Sequence, residues 1–154
     1  MTKIFAGIML IAFLPTLSAT PVSGEISCDR GVDMARVQAL VKRTVPALQK
    51  DPATVIRQIN QGDKQWEDGD YYMVVGQGTK IVAHGYIPAA VGQDFGVYPW
   101  FRALRQVAME KGSGCVGYQA FNPAKNGQLE DKVSFTMKVN DTLFALSGTY
   151  LIRK

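Results

Sequence analysis

The chain has 154 residues, with 17 basic and 13 acidic side chains, one histidine and two cysteines. This length is too short for two ordinary domains, and a composition that is 47% hydrophobic and 19% charged excludes composition-driven disorder. The net charge of +4 is spread singly or in pairs, so the clustered basic surface typical of nucleic-acid binding is not indicated. A single folded domain that does not bind nucleic acid is therefore expected.

Residues 1–24 have the composition of a secretory signal peptide. A basic residue is followed by an uninterrupted apolar run that ends at Leu14, and small or polar residues follow. The run is much shorter than the roughly 20 residues that a membrane-spanning helix needs. Cleavage fits the small-residue rule after Ala19 or after Gly24, and we prefer the second site. The mature domain, residues 25–154, is therefore expected to be periplasmic or secreted, with no membrane span.

Two cysteines in an exported chain favour a disulfide between Cys28 and Cys115. In the loop-entropy model such a bridge would contribute about 4 kcal/mol, because it closes most of the mature chain. The alternative is two unpaired thiols, one in the N-terminal tail and one in a buried strand. A nucleophile pair of Cys115 with His84 is a remote alternative that the disulfide would prevent, and we do not expect an enzyme.

The first part of the mature chain has helical periodicity. Apolar residues recur at spacings of three and four between residues 29 and 50, which predicts a long helix that Pro46 should kink or end. Asp51 and Pro52 then begin a second helix, as its cap and its first residue. Gly62 is well placed to end it.

From Trp66 onward the alternation typical of β-strands replaces the helical period. Two strands joined by a Gly-rich turn are followed by a loop and by a third helix, which begins at Pro99 and ends near Gly112. Three more strands complete the chain. The five predicted strands cover residues 71–75, 80–84, 114–121, 131–139 and 142–151.

This order of elements predicts an α+β domain with a five-stranded antiparallel sheet. The long N-terminal helix would cover one face of the sheet. The segment 85–112, a loop and a helix inserted between two strands, would cover the other face and enclose a small pocket.

Short motifs in the mature chain follow one another in a distinctive order. They are QWEDGDYY at 65–72, VAHGYIP at 82–88, VGQD at 91–94, GSGCVGYQ at 112–119 and SGTY at 147–150. Taken in order, they resemble the single Cache domain, the extracellular PAS-like sensor module of bacterial chemoreceptors and kinases. The resemblance spans about residues 30–151 and agrees with the α+β prediction.

The resemblance implies a sensor-type domain that binds a small organic acid of the acetate, pyruvate or propionate class, without catalysis. Cache sensors usually lie between two membrane helices, and the sequence contains no second span. We therefore expect a free exported domain, whose partner would be a membrane receptor or kinase. The alternative function is a protein-interaction domain that docks to a membrane receptor without binding a ligand.

His84 matches a family motif at the end of a strand, and its imidazole could donate a hydrogen bond to a carboxylate. Its alternative role is to bond the adjacent loop. Trp66, Tyr72 and Tyr118 also occupy motif positions, where they would form either pocket walls or ordinary core.

Lys138 and Arg102 are the predicted charge partners of the acid. Lys138 belongs to a polar row of its strand, formed with Lys132, Ser134 and Thr136, which faces either the pocket or solvent. Arg102 lies on the third helix, where a guanidinium could bind a carboxylate or remain on the surface.

No cofactor or metal site is predicted. Glu67, Asp68 and Asp70 are acidic neighbours, but the further oxygen ligands of a calcium loop are missing. One histidine and two distant cysteines do not form a zinc site, and the sequence contains no haem-attachment motif or phosphate-binding loop.

Overall fold

The computed structural model describes residues 24–122 and 125–151, so the predicted signal peptide, except Gly24, lies outside the described residues. The described residues form three α-helices: α1 (Met34–Lys50), α2 (Pro52–Asn60) and α3 (Pro99–Lys111). They also form eight strands: β1 (Gly24–Ile26), β2 (Glu67–Asp68), β3 (Tyr71–Tyr72), β4 (Val74–Gln77), β5 (Lys80–His84), β6 (Ser113–Asn122), β7 (Gln128–Lys138) and β8 (Leu143–Tyr150).

Six of these strands form one antiparallel sheet in the order β1-β6-β7-β8-β4-β5. The predicted strand at 71–75 is divided at Met73: β3 pairs with β2 in a separate two-stranded ribbon, and β4 joins the main sheet. The α+β prediction is confirmed, and β1 adds a sixth strand to the five that were predicted.

Strand β1 begins at the residue before the preferred cleavage site. Gly24 pairs with Gly117 of β6, and the next two pairs involve Glu25 and Ile26. Cleavage after Gly24 would therefore remove one of the three residue pairs, whereas cleavage after Ala19 would leave β1 whole.

Helix α1 continues through Pro46, so the predicted end of the helix at that residue is wrong. Pro46 and Lys42, the residue whose carbonyl loses its helical partner, are both exposed, so water can bond that carbonyl. The opposite side of the helix is fully buried, with Val41, Val45 and Leu48 at most 2% exposed. Packing of this side offsets the roughly 3 kcal/mol cost of an internal proline.

The second helix begins as predicted. The Asp51 carboxylate accepts a hydrogen bond from the Thr54 backbone N–H at 3.1 Å, and Pro52 is the first helical residue. Helix α2 ends at Asn60, and Gly62 adopts the left-handed conformation just beyond it, with φ of 73°.

The two faces of the sheet are covered by different helices. Helices α1 and α2 bury one face, which includes Val75, Phe135 and Ala145. Helix α3 packs on part of the other face, where Phe101 and Leu104 contact a cluster that includes Phe144. Alternation along β8 supplies side chains to both faces: Phe144 and Ala145 are neighbours in sequence and point to opposite faces.

The predicted disulfide is present between Cys28 and Cys115. It joins the segment after β1 to the buried part of β6, so Cys28 is part of the fold rather than of a loose tail. Because Cys115 is bonded, it offers no free thiol to His84. No helix in the described ranges is long and apolar enough to cross a bilayer.

Candidate functional site

A cleft of about 1230 Å³ lies between the sheet and the first part of the segment 85–112. We call it the sheet cleft. Its volume exceeds the roughly 300–1,000 Å³ of typical small-molecule sites. Residues of β6, β7 and β8 and of the segment 85–101 contribute to its lining. Its lining includes Tyr72, His84, Tyr86, Tyr98, Trp100, Tyr118, Phe121, Leu129, Lys132, Ser134 and Tyr150.

The single histidine presents one nitrogen to the protein and leaves the other toward the cleft. The Nδ1 atom of His84 accepts hydrogen bonds from the backbone N–H groups of Tyr86 at 3.2 Å and Ile87 at 2.9 Å. A nitrogen that accepts two such bonds is unprotonated, so the proton of the neutral ring is on Nε2. His84 therefore bonds the adjacent loop, by accepting from its amides, and its ring also lines the cleft.

The environment of His84 keeps its ring neutral. Burial lowers its pKa from 6.5 to about 4, and the positive charge of Lys132 acts in the same direction. At neutral pH the ring is thus a neutral hydrogen-bond donor through Nε2. Tyr72 packs against the ring, with centroids 5.2 Å apart.

Lys132 supplies the positive charge of the cleft. Its side chain is partly buried, and this burial lowers its pKa. Its Nζ atom lies 5.5 Å from the centre of the Tyr150 ring, and no carboxylate in the described part of the chain lies within ion-pair distance of it. The acid two residues earlier, Glu130, is bonded instead to Lys125 and Asn122, each at 2.6 Å.

The free polar atoms of Lys132 and His84 remain accessible to water. Within the described ranges, no side-chain nitrogen or oxygen is both sealed from solvent and without a hydrogen-bond partner. Neither Nζ of Lys132 nor Nε2 of His84 has a partner there. Both atoms must therefore be reachable from the cleft that their residues line.

Aromatic side chains form much of the cleft wall. Tyr118 bonds Ser134 through its hydroxyl at 2.8 Å, and burial raises the pKa of this phenol to about 12. Trp100 stacks on Tyr118 with centroids 4.9 Å apart and an interplanar angle of 12°, and Tyr98 stacks on Trp100 at 5.9 Å. A second stack joins Tyr72 to Tyr86 at 5.4 Å. Both stacks reach the surface, because their last members are exposed tyrosines.

The structure brings three of the predicted site residues together, namely Tyr72, His84 and Tyr118. Trp66 does not line the cleft. It packs with the cluster under α1 and α2, and its Nε1 atom donates to the Gln58 side chain at 3.1 Å.

The two predicted charge partners also lie elsewhere. Lys138 forms an ion pair with Asp141 at 2.8 Å at the end of β7. Arg102 donates to the Gly96 carbonyl and borders a smaller cavity of about 310 Å³ between α3 and the turn at Gly78 and Thr79. The polar row of β7 points as predicted, but α3 covers its middle, where Thr136 is fully buried. Of the four residues in the row, Lys132 and Ser134 line the cleft, and Lys132 is the charged one.

The sequence pattern placed Lys132 in this row, but Lys138 was predicted as the charge partner instead. Trp100 was not predicted as a site residue. The alternation of β7 identifies the face of Lys132 but not the position of α3 along the strand. Trp100 follows the helix-initiating Pro99, a position that gave no signal of contact with Tyr118. The described residues contain no group of three or more histidine, cysteine, aspartate or glutamate side chains that could hold a metal ion.

The described residues thus form an antiparallel sheet with α1 and α2 on one face, and with α3 and an aromatic, partly charged cleft on the other. The model of the family described as single Cache domain 2 matches residues 34–142. The chain therefore belongs to the single Cache domain family, as its motifs had indicated. No curated protein sequence matches the chain significantly.

Solved structures share this fold at low sequence identity. One is described as the periplasmic sensor domain of a chemotaxis protein; it is 20% identical, with a TM-score of 0.57. Another, reported as the structural basis for carboxylic acid recognition by a Cache chemosensory domain, is 19% identical, with a TM-score of 0.55. Each match covers 77% of this chain and 90% of the other. At this identity the likeness establishes the fold alone.

Proposed function

We propose that this chain is an exported sensor-type domain that binds a small organic carboxylate in the sheet cleft, without catalysis. The observation that carries the proposal is the Lys132 side chain, which is partly buried, lines the cleft and has no carboxylate partner among the described residues. A partly desolvated charge without a counterion is costly, and a bound anion would supply the missing partner.

The neighbouring His84 defines the rest of the anion site. Because its ring is neutral and carries its proton on Nε2, it can donate one hydrogen bond without adding a second positive charge. One ammonium and one neutral hydrogen-bond donor suit a monocarboxylate, which carries a single negative charge and accepts hydrogen bonds. Tyr72 and Tyr118 would form the walls beside it, as the sequence resemblance implied.

The proposed location is the periplasm or the extracellular space. The leader-like composition of residues 1–24 supports export, and so does the Cys28–Cys115 bond, since disulfides persist mainly in oxidising compartments. The proposed partner is a membrane receptor or kinase that responds to the occupied domain. No cofactor is required for this function.

Calorimetric titration with acetate, pyruvate and propionate tests the proposal, with propionamide as the uncharged control. We expect at least one acid to bind and propionamide not to bind. At a hundred times its dissociation constant, an acid should raise the unfolding free energy by about 2.7 kcal/mol.

Two matched lysine variants test the assigned charge. Lys132→Met should weaken acid binding by about 10- to 150-fold, the equivalent of about 1.5–3 kcal/mol for a hydrogen bond to a charged group. Lys138→Met removes a lysine from the same row that is already paired with Asp141, and it should leave affinity within about twofold.

A folding control accompanies these variants. Because burial lowers the pKa of Lys132, its ammonium opposes folding at neutral pH. Lys132→Met should therefore be at least as stable as the unliganded parent protein.

Equal binding of the acid by both lysine variants would overturn the site assignment. If none of the acids binds, the ligand-free docking function replaces this proposal.

A further inference from the structure

We propose that the carboxylate bound in the sheet cleft carries an aromatic ring, which packs on exposed aromatic side chains at the mouth of the cleft. This inference rests on the proposed function and names its ligand more closely. It replaces the acids of two or three carbons by arylalkanoates as the preferred class.

The first argument is size. A three-carbon acid has the volume of about four water molecules, or roughly 120 Å³ at about 30 Å³ for each water. The sheet cleft measures about 1230 Å³. An acid that filled only the space beside Lys132 would leave the aromatic walls in water.

The second argument is the surface at the mouth. Tyr86 and Tyr98, which end the two aromatic stacks, line the cleft and are 57% and 46% exposed. Apolar surface concentrated at one place on a protein is typical of a binding site.

The third argument is spacing. Lys132 pairs with Tyr118 across β7 and β6, so the two side chains lie on the same face of the sheet. The stack that begins at Tyr118 runs through Trp100 to the exposed Tyr98, with successive ring centroids 4.9 and 5.9 Å apart. A ligand whose carboxylate contacts Lys132 therefore reaches Tyr98 only if a chain and a ring extend from it. Aromatic rings stack favourably on tyrosine and phenylalanine, whereas a flexible alkyl chain loses more conformational freedom on binding.

The test compares three acids by calorimetric titration of the intact domain: propionate, hexanoate and 3-phenylpropionate. We expect 3-phenylpropionate to bind at least about tenfold more tightly than propionate, and more tightly than hexanoate, because its ring covers aromatic surface. Equal or tighter binding of propionate would overturn this inference and leave the proposed function intact. Equal binding of hexanoate would overturn the requirement for a ring. Failure of all three acids would count against the proposed function itself.

Two neighbouring exposed side chains provide a matched pair of variants. Tyr98→Ser should weaken 3-phenylpropionate binding about fivefold and leave propionate binding unchanged, since only the ring reaches the mouth. Val97→Ser changes a side chain that is 76% exposed but does not line the cleft, and it should alter neither affinity. Unchanged binding of 3-phenylpropionate to Tyr98→Ser would overturn the placement of the ring.

Tryptophan fluorescence gives an independent measurement. Trp100 lines the cleft, whereas Trp66 lies under α1 and α2 with its indole nitrogen bonded to Gln58. In the Trp66→Phe variant, 3-phenylpropionate should change the emission of Trp100 in a saturable manner with the calorimetric dissociation constant. Saturable calorimetric binding without any change in emission would contradict a ring position beside the Trp100 stack.

Discussion

His84 makes the stability of this domain depend on pH in a way that one substitution can isolate. In His84→Asn, the asparagine carbonyl oxygen can accept hydrogen bonds from the Tyr86 and Ile87 amides in place of Nδ1. The variant therefore keeps the strand-to-loop connection but loses the titrating ring. Lys132 is the charged side chain that bears on that ring.

The magnitude follows from the two pKa values. The folded pKa of about 4 lies below the ordinary value of 6.5, so the fold favours the neutral ring. The resulting stabilisation is fully present above pH 6.5 and is lost as the pH falls through 6.5 toward 4. Between pH 7.5 and pH 5 the loss is about 2 kcal/mol, and it approaches about 3 kcal/mol below pH 4.

Denaturant unfolding of the disulfide-intact protein at several pH values measures this loss. Carboxylates with lowered pKa, such as Asp51 and Asp68, also reduce stability at low pH. They do so equally in both proteins, so the difference between parent and His84→Asn reports His84 alone. Since His84 is the only histidine, its nitrogen–proton NMR signals give its pKa and tautomer without ambiguity.

We expect the parent to lose about 2 kcal/mol more than His84→Asn between pH 7.5 and pH 5. Parallel curves for the two proteins would refute the reasoning, as would an NMR pKa of 6.5 or higher. A proton on Nδ1 at neutral pH would refute the proposed donor role of Nε2.

Three further predictions concern the fold. Replacing both Cys28 and Cys115 by Ser should lower the unfolding free energy by about 4 kcal/mol in denaturant titrations, because the bond closes a loop of 87 residues; a loss below about 1 kcal/mol would contradict this mechanism. Gly76→Ala should cost about 1–3 kcal/mol in the same assay, since an added Cβ would overlap the buried Phe144 ring; an unchanged unfolding midpoint would show that the ring can move. In contrast to the preference for Gly24 drawn from the sequence, cleavage of the exported chain after Ala19 is now expected, because it keeps β1 whole; the intact mass of the secreted protein decides between the two sites.

Much of the fold is evident from local sequence patterns. The apolar spacing of α1, the Asp51–Pro52 start of α2 and the Pro99 start of α3 each depend on residues within one or two turns. The disulfide was also predictable, because two cysteines in an exported chain have a single possible pairing.

Features that depend on neighbours distant in sequence were not predictable. Helix α1 passes through Pro46 because that residue faces solvent while its opposite side is packed on the sheet. Strand β1 was missed because three residues carry too little periodicity to indicate a strand, and they form one through pairing with β6.

The candidate site, like the fold, was predictable only in part from the sequence. The sequence by itself determined the approximate positions of the helices and of most strands along the chain, the polar face of β7 and the family motif that contains His84. Only the tertiary structure decided that Lys132, rather than Lys138, faces the cleft. The physical reason is that periodicity reports which side of an element points inward, whereas the charge that reaches a cavity depends on where a separate segment packs along that side.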